Sequence, residues 1–294
     1  MTSRLPTPLP AAAPPPETAA TWAAHLQLGF GRTGERTVLR ENRHCGPLRV
    51  QKALYPEGDA VCQAIVLHPP SGIAGGDELA IGITVDREAH AQITTPGAGK
   101  WYRSNGAGAS QHIALTVGQG GTLEWLPQET IVFDGARADM QTRVDLAADS
   151  RYLSWDILCL GRAASGEDFA RGEISLFSRV DREGRPIWLE RGQIQGSDAM
   201  LASPAGWAGH RVCATLICSF PELPQQAAAL LASLRAIVPN DDGLHGITAL
   251  PDPLIARYLG DSSEAARQWL AELWNILRPA CCGRPAVAPR IWNT

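Results

Sequence analysis

The 294-residue chain is 45% hydrophobic and carries a formal net charge of -4, enough apolar material for a sizeable core and no basic surplus for gripping phosphate backbones. A wholly disordered chain and a nucleic-acid partner are therefore excluded. The 29 glycines and 22 prolines, spread along the sequence, favour many short elements joined by turns.

Taken in chain order, residues 1–20 hold Pro6, Pro8, Pro10 and the run from Pro14 to Pro16 among alanines. They are expected to form a disordered tail that cannot build the apolar helix of a secretory signal. Residues 21–294 are expected to form one domain. Over 21–220, short alternating runs closed by glycine-rich breaks predict strands near 24–28, 62–67, 79–85, 91–95, 113–117, 122–126, 130–133, 140–146, 152–160, 172–179, 186–194 and 211–218. So many strands require a sandwich, barrel or β-solenoid, although no fixed-length repeat is visible. Over 221–294 the pattern changes to a helical and extended portion. Pro224 precedes a helix over 225–238, and a Ser262 or Ser263 cap starts a second, with Ala266, Leu270, Leu273 and Leu277 on one stripe, that stops near Pro279. The fold class expected is mainly β with two helices near the C-terminus.

No run of 18 apolar residues is present, so no membrane helix is expected. The seven cysteines (45, 62, 159, 213, 218, 281 and 282) are odd in number and irregularly spaced, which fits a reducing cytoplasm better than a secreted disulfide framework. Cys213 and Cys218, five apart on a strand, should face opposite ways as small buried hydrophobes.

Two look-alikes fail on context. Gly29, Gly31 and Gly34 match a dinucleotide fingerprint, but no helix pattern follows them, so a hairpin turn is the reading. Gly97 to Lys100 lacks the first glycine and the Ser or Thr of a phosphate loop. His44 and His68 stand without the convergent ligands of a closed metal site.

Four segments stand out: Pro69-Pro70-Ser71-Gly72-Ile73-Ala74-Gly75-Gly76-Asp77, Thr94-Thr95-Pro96-Gly97-Ala98-Gly99-Lys100-Trp101-Tyr102-Arg103-Ser104, Leu123-Glu124-Trp125-Leu126-Pro127-Gln128-Glu129-Thr130-Ile131, and Leu160-Gly161-Arg162-Ala163-Ala164-Ser165-Gly166-Glu167-Asp168-Phe169. With Gly46 to Gln51, Tyr55 to Gly58 and the terminal Pro289-Arg290-Ile291-Trp292, they resemble the UreD (UreH) family of urease accessory proteins in joint order. Ser71 and Gly99 depart from that family's usual residues. The resemblance implies a β-helical body with two helices and no enzymatic activity. It also implies partnership with UreF, the GTPase UreG and apo-urease, and nickel in transit through an internal tunnel with no tightly bound cofactor.

A relay should hold nickel weakly, because clustered imidazoles or thiolates would trap a metal high in the Irving–Williams order. Scattered acids at turns suit it, and Asp77, Glu129, Glu167 and Asp59, with Glu57, are the candidates. The same acids also suit turn capping. Lys100, Trp101, Tyr102 and Arg103 have the composition of a partner interface, or of an internal ion pair with ring packing. Trp292 is expected to seek a pocket on this fold or on a partner. Strand alternation puts Leu123 and Trp125 on one face and Glu124 with Leu126 on the other, leaving Glu124 exposed or inside a channel. The rival enzyme readings are a β-solenoid carbohydrate hydrolase using two of these acids and a dinucleotide-dependent oxidoreductase.

Overall fold

A computed structural model describes residues 22–293; the tail expected over 1–20 lies outside them. The chain opens with a hairpin, β1 (Ala23–Thr33) and β2 (Arg36–Cys45), and a short β3 (Arg49–Val50). It then winds through β4 (Cys62–Leu67), β5 (Glu78–Val85), β6 (His90–Thr94), β7 (Gly99–Trp101), β8 (Ala109–Val117), β9 (Thr122–Leu126), β10 (Thr130–Val132), β11 (Arg137–Leu146), β12 (Arg151–Leu160) and β13 (Glu173–Arg182). A second hairpin returns β14 (Arg185–Gln195). The remainder holds β15 (Val212–Ser219), α1 (Leu223–Leu234), β16 (Leu244–Ala249), β17 (Leu254–Gly260) and α2 (Ser263–Cys282).

Successive strands alternate between two facing sheets. One runs β14-β13-β11-β8-β5-β1-β2, and the other runs β16-β17-β15-β12-β9-β6-β4-β3, with β10 paired to β12 and β7 paired to β10. Within the stack the pairing is parallel, as between β5 and β8, β8 and β11, β6 and β9, and β9 and β12. The result is a β-solenoid of about four turns. Its coils are unequal: Glu78 pairs with Ser110, Ser110 with Asp139 and Asp139 with Ser175. That unevenness is why no repeat is visible in the sequence. Antiparallel strands close the first sheet at both ends, β2 against β1 and β14 against β13.

Alternation decides which side chains fill the solenoid. Along β5, Leu79, Ile81, Ile83 and Val85 point inward and join one core between the sheets. β6 and β9 are buried on both faces, because the outer face of the second sheet is covered by the helices. There Leu153, Trp155 and Ile157 of β12 meet Trp269, Leu270, Leu273, Trp274 and Leu277 of α2 in a second core. Cys218 belongs to this second core while Cys213 faces the other side, as their odd separation requires.

Three C-terminal details differ from the sequence reading. The first helix begins at Leu223, with Pro224 in its first turn where a missing N–H costs nothing, and ends at Leu234 rather than 238. The portion read as helical and extended also contributes β16 and β17, which extend the second sheet antiparallel from β15. Leu254, Ile255 and Ala256 are buried in succession and only Arg257 and Leu259 are partly exposed, so the alternation that betrays a half-exposed strand is short. Finally, α2 does not stop near Pro279 but runs on to Cys282. There Gly283, at φ 67°, closes it by donating its N–H to the Pro279 carbonyl at 3.0 Å.

Candidate functional site

On β12 the side chains of Tyr152, Ser154, Asp156 and Leu158 turn inward, opposite the face that packs on α2. Near the late coils this interior widens into a cavity of about 1080 Å³. Strand register lays a polar row across its wall: Asp156 lies beside Thr215 of β15, which lies beside Arg257 of β17. The Arg257 guanidinium bonds the Glu190 carboxylate of β14, in the opposite sheet, and lies 5.6 Å from the Trp188 ring. This ion pair spans the cavity. Enclosure, then the Glu190 charge, push the Asp156 carboxyl up to about 6 although it is open to the cavity's solvent. Burial likewise pushes the Cys213 thiol up to about 11, so it stays neutral at ordinary pH.

A second polar cluster lies outside the cavity, where sheet two meets α2. Glu124 of β9 is fully buried. Its carboxylate accepts hydrogen bonds from Trp274 Nε1 at 2.8 Å and from Arg278 Nε at 2.9 and 3.1 Å, and it lies 2.9 Å from His90 Nε2. Arg278 in turn grips Glu57 with both terminal nitrogens, at 2.7 and 2.8 Å, and donates to the Pro285 carbonyl. Burial alone would raise the Glu124 carboxyl, but His90 and Arg278 outweigh it and hold the group at about 2. The alternation expected for this strand holds, yet neither alternative for Glu124 does. It is not exposed and does not face the cavity, because a helix covers that side of the sheet.

The acids singled out in the sequence scatter. Asp77 is buried at a turn and accepts from the Ala74 and Trp22 amides at 2.8 and 3.3 Å, which is the capping role. Glu167 pairs with Arg162 at 2.6 Å and accepts from the Asp134 amide; the Arg162 bond chiefly lowers its carboxyl. Asp59 is exposed and lies 3.4 Å from Arg36. Glu129 is half-buried with no ion pair among the described residues. None of these four lines the cavity.

The cationic-aromatic segment divides. Trp101 is 2% exposed within the solenoid core, so its part in a partner interface is corrected: β7 turns the ring inward. Tyr102 packs edge-on to Phe133 at 5.2 Å. Arg103 pairs with Asp134 at 3.3 Å. Lys100 lines the cavity and has no ion pair among the described residues. Trp292 docks on its own chain: its Nε1 donates to Thr94 Oγ1 at 2.8 Å, and its ring lies 5.3 Å from Trp155 and 5.7 Å from Trp274.

Asp156, Glu190 and the cluster around Glu124 escaped the sequence reading. A signal existed for Asp156, the single charge within the apolar run 152–160, at a position alternation sends inward. Arg278 carried one too, since it follows Leu270 and Trp274 at helical spacing on a stripe otherwise apolar.

Comparison with known proteins identifies the family. The family model described as "UreD urease accessory protein" matches residues 23–293. A urease accessory protein UreD of Dechloromonas aromatica is 71% identical over 294 residues, the full length of both chains. One from Azoarcus sp. is 50% identical over 273 residues, 93% of this chain and 94% of its own. One from Nitrosococcus oceani is 50% identical over 285 residues, 96% of this chain and 95% of its own. With both its length and its sequence shared in this way, the chain belongs to the UreD family of urease accessory proteins.

Proposed function

We propose that this chain is a non-catalytic scaffold of urease maturation, working in the cytoplasm with UreF and UreG. It binds apo-urease and gives nickel a route through the space between its sheets. The observation that carries the reading is the cavity inside a protein of this family, with Asp156 and Glu190 on its walls. Carboxylate oxygens hold a divalent ion without trapping it. The four acids first suggested by the sequence serve this route less well, since all lie off the cavity and Asp77, Glu167 and Asp59 have structural partners.

The test is co-expression of the tagged full chain with urease subunits, UreF and UreG, followed by pull-down and measurement of nickel per urease. The wild-type chain should co-purify and raise nickel content and activity. The Asp156→Asn, Glu190→Gln double variant should still co-purify but deliver several-fold less nickel, on the order of the 10-fold effects seen when a metal's oxygen partners are lost. Failure of the wild-type chain to associate, with urease fully loaded in its absence, would sink the reading.

A further inference from the structure

We propose that His90, Glu124 and Cys282 form a three-ligand binding site for a zinc ion that staples the end of α2 to the solenoid, separate from the cavity. The three come from different elements, β6, β9 and the last residue of α2. Their ligand atoms all lie within 4.8 Å of one another, close enough to converge on one ion. Nitrogen, oxygen and sulfur donors together are a set that zinc accepts in tetrahedral sites. Cys281 neighbours Cys282 but lies outside this group, so the fourth tetrahedral position is left to water.

The surroundings are built as a metal site's outer shell is built. Glu124 Oε2 is fixed by Trp274 Nε1 at 2.8 Å and Arg278 Nε at 2.9 Å, while its Oε1 faces His90 Nε2. Charge also favours occupancy. With a neutral imidazole, as a ligand must be, Glu57 and Glu124 against Arg278 leave one buried negative charge. A divalent cation together with one thiolate cancels it. Cys282 is half-buried as a residue although its thiol is enclosed, and Cys281 and Cys218 are buried. Binding breaks the Cys282 S–H bond and forms S–Zn, with the proton passing to solvent; no oxidant or reductant is involved.

The site owes its existence to α2 continuing past Pro279, which carries Cys281 and Cys282 to Glu124. A thiolate-bearing, enclosed site retains its ion, which is unsuited to transit and suited to a latch.

The full chain, purified with its partners where it needs them for solubility, is analysed for zinc and then reconstituted with cobalt after chelation. The wild type should hold about one metal per chain and show a sulfur-to-cobalt charge-transfer band. Cys282→Ser should abolish the band and weaken zinc by more than about 100-fold, beyond the cost of losing an outer-shell partner. His90→Gln should weaken zinc comparably. Circular dichroism verifies that each variant is folded. In the wild type, which carries no folding risk, zinc should slow alkylation of Cys282 several-fold. Absence of both the band and zinc-dependent protection in the wild type overturns the proposal, as does full metal retention in folded Cys282→Ser.

Discussion

Glu124 occupies a position at which strand alternation delivers a side chain to a dry helix–sheet interface, and it is tolerated there because both of its carboxylate oxygens are hydrogen-bonded. Removing one member of such a buried pair leaves the other uncompensated. Glu124→Ala should therefore cost about 3–5 kcal/mol, measured by urea unfolding, and Glu124→Gln, which keeps an acceptor for Trp274, should cost less. The pH dependence has a definite sign. The folded carboxyl sits at about 2, below its ordinary value, so its contribution is complete above about pH 4.5 and is lost as pH falls toward 2. Urea midpoints should drop over that window in the wild type and less steeply in Glu124→Gln; equal slopes would refute the assignment. In the sequence Glu124 was visible only as a charge in an apolar run. Its partners at 57, 90 and 278 lie too far along the chain for any spacing rule to join them.

At the scale of elements, α2 and the terminal segment behave as one clamp over the second sheet. Trp292 packs between Trp155 and Trp274 and bonds Thr94, tying the chain end to β6, β12 and α2. Trp292→Ala should destabilise the protein by about 2 kcal/mol, the worth of burying a large apolar side chain. A change below a few tenths in urea titration would return this tryptophan to the role of a partner contact. The helices were legible because the stripe through Ala266, Leu270, Leu273 and Leu277 and the Ser262 cap are local signals. The extension beyond Pro279 was not. A proline inside a helix removes one backbone bond, and here the bonds of Arg278 to Glu57 and Glu124, side-chain contacts distant in sequence, hold the next turn in place.

For the molecule as a whole, the cavity is a product of register. Asp156, Thr215 and Arg257 fall in one row only because three strands separated by long connections align, and Glu190 faces them only because the sheets stack. Sequence patterning could reach "many strands, curled or stacked" and the family resemblance. It could not reach this row, since coils of unequal length give no period from which to project one strand's inward positions onto the next. Filling the space tests whether it is a conduit. Thr215→Phe places a ring at the centre of the row, and overpacking there should cost about 1–3 kcal/mol. Urease should still be captured by the complex, while its nickel content falls. Unchanged nickel in a folded, co-purifying variant would show that the ion travels elsewhere.

The strands that close the first sheet also bear on assembly. A stack of parallel coils with an open last row is a template on which another molecule's first coil can grow, the beginning of a fibre. In this protein the outermost rows, β2 and β14, run against the winding. An arriving coil would have to pair with them in the direction opposite to its own course. Reversal of two strands thus interrupts the parallel winding at both ends of the first sheet.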